Sequence, residues 1–153
     1  MGMIKSVLFA SVCLVAACGG SSSPKESTEP TGTGPTAQVM TNDELVAKGG
    51  TLYGEKCAKC HGDAGQGTEK GPAVVGEGAL PKDPRPGAKR QVVFSTAYDI
   101  GAWAMEHMPA DKPGSLAPEE YLAILAFDLK ANGVDLGAEP LTLEGLKTIV
   151  IHP

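Results

Sequence analysis

Cys57-Ala58-Lys59-Cys60-His61 is the stretch on which the reading of this chain turns. On a helical turn, residues three apart share a face, so both sulfurs reach one edge of a flat ligand. The adjoining His61 then aims a ring nitrogen at the centre of that ligand from the same side. The run reads as a covalent attachment site for haem c, one group held through Cys57 and Cys60. Three other chemistries use the same letters. A zinc site needs a fourth ligand, and the other histidines are His107 and His152. A thioredoxin-like dithiol needs a βαβ setting, whereas the flanks here read helix–loop–helix. A disulfide across two residues is strained and leaves the histidine without a purpose.

Outward from the motif, Thr41-Asn42-Asp43-Glu44 fits a capping box and starts a helix that runs to about Lys56. A second helix is predicted from Pro118 to about Ala131. Pro118 suits its first position, Glu119 and Glu120 its positive end, and Asn132-Gly133 its close. Tyr121, Leu122, Ile124, Leu125, Phe127 and Leu129 give that helix its apolar surface. Ala117, in the capping position, has no side-chain acceptor and weakens the helix start by about 1 kcal/mol.

With these elements in place, residues 41–137 resemble the class I, monohaem c-type cytochromes of bacteria. The resemblance implies an all-α fold of about four helices around one covalently bound haem. It implies that Gly49 and Tyr53, eight and four residues before Cys57, let the first helix cross the last closely, against Ile124 and Phe127. A mid-helix glycine costs about 1 kcal/mol relative to alanine, which fits a position chosen for close packing. It also implies that the carbonyl of Pro72, in Gly71-Pro72, accepts the Nδ1 proton of His61 and fixes its ring. An ordinary loop turn is the other reading of Gly-Pro.

The metal ligands expected are His61 and, on the opposite side of the iron, Met108. Thr96 with Asp99 caps a helix running to about Glu106, and Met108 precedes Pro109, which drives it out of helical conformation toward a loop. Met108-Pro109 also resembles the distal ligand motif of the family. Met105, inside the helix, and His107, an imidazole that binds ferric haem well, are the rivals.

The chain begins with Lys5 and an apolar run, Ser6 to Ala17, shorter than the roughly 20 residues a membrane span needs. It reads as an export signal, with Cys13 discarded inside it. Val15-Ala16-Ala17-Cys18 resembles the lipobox of bacterial lipoproteins, which makes Cys18 the lipidated residue of a membrane anchor. Ordinary signal cleavage with an unmodified Cys18 is the alternative. Residues 19–40 are dense in Gly, Ser, Thr and Pro, too polar to pack, and read as a disordered tether. Such a coil spans roughly 25 Å. The divisions expected are a signal at 1–17, a lipidated tether at 18–40, a cytochrome c domain at 41–137 and an extension at 138–153.

Few large side chains are available for a self-sufficient core, with three Phe, three Tyr and one Trp in 153 residues, and small chains of this kind often borrow core from a disulfide, a metal or a cofactor. The net charge of −5 excludes nucleic acid as a partner. Residues 76–95 hold Pro81, Pro84 and Pro86 and no long helix. Lys82, Arg85, Lys89 and Arg90 make this loop basic, either solvated or facing haem propionates or a partner. Tyr98 and Trp103 either donate to a propionate or wall the pocket. In the tail, Ile149-Val150-Ile151 is apolar enough to pack back on the body, and His152 reads as an exposed terminal residue. The function expected is one-electron transfer outside the cytoplasm between redox proteins, by a monomeric or transiently complexed carrier that is not an enzyme. A haem subunit or sensor module of a larger redox enzyme is the alternative.

Overall fold

A computed structural model describes residues 39–152. The expectations placed on residues 1–38, the signal, Cys18 and most of the tether, lie outside the described residues. Thr41 opens helix α1 (Asn42–Lys56) through the expected box: its backbone N–H donates to Glu44 Oε2 at 2.8 Å, and Glu44 N–H donates to Thr41 Oγ1 at 3.3 Å. After it come a single helical turn, α2 (Ala58–His61), a long loop, α3 (Ala97–His107), α4 (Pro118–Ala131) and a 3-10 turn (Gly145–Thr148). The fold is all-α. One isolated backbone bridge joins Thr96 to Val150.

The two long helices, α1 and α4, cross where Gly49 meets α4. A Cβ on Gly49 would overlap the Ala123 carbonyl and come within 3.0 Å of Phe127 Cβ. Tyr53, one turn later, is buried, with its ring 5.2 Å from that of Phe127. Ile124 is buried in the same cluster, so the crossing expected from the resemblance is the crossing observed. Helix α3 also packs on α4, less tightly, with the Leu125 side chain 3.0 Å from where a Gly101 Cβ would lie.

The start of α4 is half capped. Ala117 offers no side-chain acceptor, yet its N–H donates to Glu120 Oε2 at 2.8 Å, which satisfies one of the helix's free donors. The main core gathers Leu45, Phe94, Ala97, Ile100, Leu125 and Leu129 with Leu136 and Leu146. Leu146 is almost fully enclosed, and the segment after it is stitched to the start of α3. Ala97 N–H donates to the Ile149 carbonyl at 2.9 Å, and Ile151 N–H to the Ser95 carbonyl at 3.1 Å. Packing of the tail onto the body was expected; its share of the core was not. His152 departs from expectation: it is half-buried, its Nε2 2.8 Å from the Leu80 carbonyl.

Candidate haem site

Cys57 ends α1 and starts α2, so the motif is one tight turn set at the end of a long helix. Cys60 N–H and His61 N–H both donate to the Cys57 carbonyl, at 3.0 and 2.9 Å. Beyond the turn, each carbonyl from Cys60 to Gly62 has its own donor. Thr68 Oγ1 donates to Cys60 at 2.5 Å, Gly67 N–H to His61 at 2.7 Å, and the Tyr53 hydroxyl to Gly62 at 2.9 Å. Gly62 has φ +85°, a conformation that suits glycine, and turns the chain so that residues 63–75 wrap the motif. Paired carbonyls on both sides leave the turn little freedom.

His61 Nδ1 lies 2.7 Å from the Pro72 carbonyl. The imidazole therefore donates from Nδ1 and keeps Nε2 as a free electron pair, which is the tautomer an iron ligand needs. Gly71 permits this approach, because a Cβ there would stand 2.9 Å from the Cys60 carbonyl and 3.2 Å from His61 Cε1. The Pro72 contact expected from the resemblance is thus present in the geometry. Cys57 and Cys60 are both free, half-buried thiols, and Cys57 joins Leu52, Val74, Leu116 and Phe127 in the cluster around Tyr53. Burial, with the Asp128 and Cys60 charges behind it, pushes the Cys57 thiol up to about 11. A dithiol that works by thiolate attack needs the opposite shift.

Met108 caps the end of α3 in extended conformation (φ −117°, ψ 153°), as its place before Pro109 requires. It is half-buried, and its carbonyl accepts the Tyr121 hydroxyl from α4 at 2.5 Å. Tyr121 was read from sequence as apolar surface only, and its polar role left no local signal. The rivals sit differently. His107 is exposed, stacked on Trp103 with ring centroids 4.7 Å apart, and its Nδ1 lies 2.9 Å from the Trp103 carbonyl. Met105 lies inside the helix.

The basic loop resolves into unlike parts. Lys82, Arg85 and Lys89 are exposed, but Arg90 is buried and neither solvated nor turned to a partner. Its guanidinium donates to the carbonyls of Pro81 (2.7 Å), Lys82 (3.0 Å), Asp83 (2.7 Å) and Val92, and lies 3.9 Å from the Phe94 ring centroid. Tyr98 is exposed beneath Lys147, whereas Trp103 is half-buried and meets Phe94 edge-on. Asp128, on α4, was missed by the sequence reading: its Oδ1 is buried with no hydrogen-bond partner.

Two thiols and a tautomer-fixed imidazole on one turn, inside an all-α shell, fit a covalently held haem and define a c-type cytochrome. The chain belongs to the family described as cytochrome c oxidase, cbb3-type, subunit III, whose model matches residues 44–127. It is also similar to a thiosulfate dehydrogenase of Stutzerimonas stutzeri (strain A1501), 33% identical over 100 residues, which cover 65% of this chain and 31% of that protein. Among solved structures it is similar to the sulfane dehydrogenase SoxCD of Paracoccus pantotrophus, at TM-score 0.52 and 30% identity over 69% of this chain and 52% of the other. The chain thus spans about a third of the first relative's length and about half of the second's.

Proposed function

We propose that this chain is a monohaem one-electron carrier and not an enzyme, with haem c bound through Cys57 and Cys60 and the iron held between His61 and Met108. The observation that carries the reading is the 2.7 Å contact between His61 Nδ1 and the Pro72 carbonyl, on the same turn as both thiols. Haem bound there supplies a reversible one-electron couple, and His/Met ligation raises its potential. The residues of the chain do the rest. The carbonyl of Pro72 holds the His61 ring, Tyr53 braces the turn through Gly62, and Tyr121 holds the backbone of Met108 from α4. With His61 and Met108 both held as its ligands, the metal would carry an electron without a substrate reaching it.

Zinc and dithiol chemistry fit less well. Among the described residues no three His, Cys, Asp or Glu side chains gather to hold a metal ion, and the Cys57 thiol is shifted away from the thiolate. His107 is turned to the Trp103 carbonyl and to its own helix surface, which supports Met108 as the sixth ligand. Among the described residues no helix is long and apolar enough to cross a membrane. Anchorage by lipid on Cys18, outside the cytoplasm, with residues 19–40 as tether, completes the proposal. The partners are extracytoplasmic redox proteins, met by a monomer.

Optical spectra of the oxidised protein test the ligand set. Wild type shows the weak sulfur-to-iron band at the red end, Met108→Ala loses it, and His107→Ala keeps it. A band that survives Met108→Ala removes Met108 from the iron, and a wild type without it makes the site bis-histidine. For the anchor, Cys18→Ser protein is expected in the soluble fraction, and its retention on membranes contradicts lipidation. A second reading, a haem subunit of a larger redox enzyme, is favoured by the two relatives, both named dehydrogenases and both longer than this chain. Stable co-purification with a catalytic subunit would select it.

A further inference from the structure

Asn132 closes α4, and its side chain reaches across to the loop that carries Pro72. Its Nδ2 donates to the Val74 carbonyl at 2.8 Å and to the Asp128 carbonyl of its own helix at 2.7 Å. Its Oδ1 accepts the Gly76 N–H at 3.1 Å. One half-buried amide thus holds two loop positions, 58 and 56 residues away in sequence, and is itself tied to the last turn of α4. Capping the helix requires only the bond to Asp128. The two bonds to the loop do something else.

The loop needs such a hold. Pro72 is exposed, so packing does not fix its carbonyl, which nevertheless stands 2.7 Å from His61 Nδ1. Hydrogen bonds on either flank fix it instead. Before it, Thr68 N–H donates to the Gly71 carbonyl at 2.9 Å and Thr68 Oγ1 to the Cys60 carbonyl at 2.5 Å, which ties that side to the motif turn. After it, the Val74 and Val75 N–H groups donate to the Gly65 carbonyl at 2.8 and 3.0 Å, which closes the loop on itself. The Asn132 amide ties this second flank to α4. The frame is then complete: the motif turn follows α1, α1 crosses α4 at Gly49, α4 ends at Asn132, and Asn132 holds Val74. Two residues back, the Pro72 carbonyl returns to His61.

We propose that Asn132 is a positioning residue for His61: by holding Val74 and Gly76 to the end of α4, it keeps the Pro72 carbonyl on Nδ1. That bond fixes the ring's orientation and makes the imidazole a more basic ligand. Loosening it therefore disfavours the oxidised metal and raises the reduction potential. The inference rests on the His61 ligation proposed above. It goes further by assigning control of that ligand to a side chain at the far end of another helix.

The test uses the intact protein with its covalent haem, at one pH throughout. NMR follows the exchange of the His61 Nδ1 proton with solvent, and electrochemistry gives the potential. Asn132→Ala removes both loop bonds and is expected to speed that exchange by roughly tenfold or more, while backbone amides of α1 and α3 keep their rates. Its potential is expected to rise. Asn132→Asp has the same shape without the Nδ2 donor; it is expected to shift both readings the same way, and it carries the test if the alanine variant fails to hold haem. Leu146→Ala, in the other core cluster, is expected to lower stability and leave both readings at wild type. An exchange rate or a potential unchanged in the Asn132 variants overturns the inference and leaves the carrier intact. Equal acceleration in Leu146→Ala makes the effect a general loosening and also overturns it. A wild type whose His61 ring signals show no shift from the haem overturns the ligation itself, and this inference with it.

Discussion

At Gly49 the backbones of α1 and α4 come so close that one methyl group has no place to go. The obstruction is the Ala123 carbonyl, part of a helix and unable to swing aside as a side-chain tip would. Gly49→Ala is therefore expected to cost about 1–3 kcal/mol of stability, despite the better helix propensity of alanine. Denaturant unfolding measures it, and a stabilised variant contradicts the crossing described. Asp128 makes the opposite point about single residues, since burial costs stability there. Its carboxyl, at about 7, stays protonated in the folded chain at pH values where the unfolded chain has released the proton. The folded state binds the extra proton between about pH 4 and about pH 7, so this group's contribution falls as pH rises through that window. Asp128→Asn is expected to match wild type near pH 4 and to exceed it in stability near pH 8, by thermal unfolding at both. An equal difference at both pH values contradicts the raised acid constant of this carboxyl.

Among the elements, those with local signals were legible in the sequence and those made by distant contacts were not. The Thr41–Glu44 and Thr96–Asp99 boxes and Pro118 at the head of α4 act within one turn of chain, so the sequence reading placed those helices to within a residue or so. The His61–Pro72 contact was legible because the spacing of the motif to Gly71-Pro72 matched a family pattern. The loop from 76 to 95 was not, because the order in it comes from Arg90 reaching carbonyls seven to nine residues back. No period or cap announces such a staple, and the charge run suggested a solvated surface. Arg90→Ala leaves those carbonyls without their donor and is expected to cost about 2 kcal/mol, with hydrogen exchange in 81–92 speeding up. Unchanged protection there would show that the loop holds itself. Leu146 was missed for the same reason: its burial depends on packing in the core with residues of α3 and α4, and nothing near it in sequence says so.

For the molecule as a whole, the scarcity of aromatic side chains and the two-part core make sense together. One cluster, around Leu129 and Leu146, is apolar side chains packed on each other. The other, around Tyr53, Ala58 and Ile124, gathers at the attachment turn, where a bound haem would supply further apolar area. Such a design makes the cofactor part of the fold, so the chain without haem is expected to unfold at lower denaturant than the loaded protein. The central claim is that Cys57 and Cys60 hold that haem covalently. Intact-mass measurement of the protein purified from its host, fully denatured, tests it most directly. The account predicts the polypeptide plus one haem, and loss of the added mass when both cysteines are replaced by alanine; a denatured polypeptide carrying no added haem would contradict it.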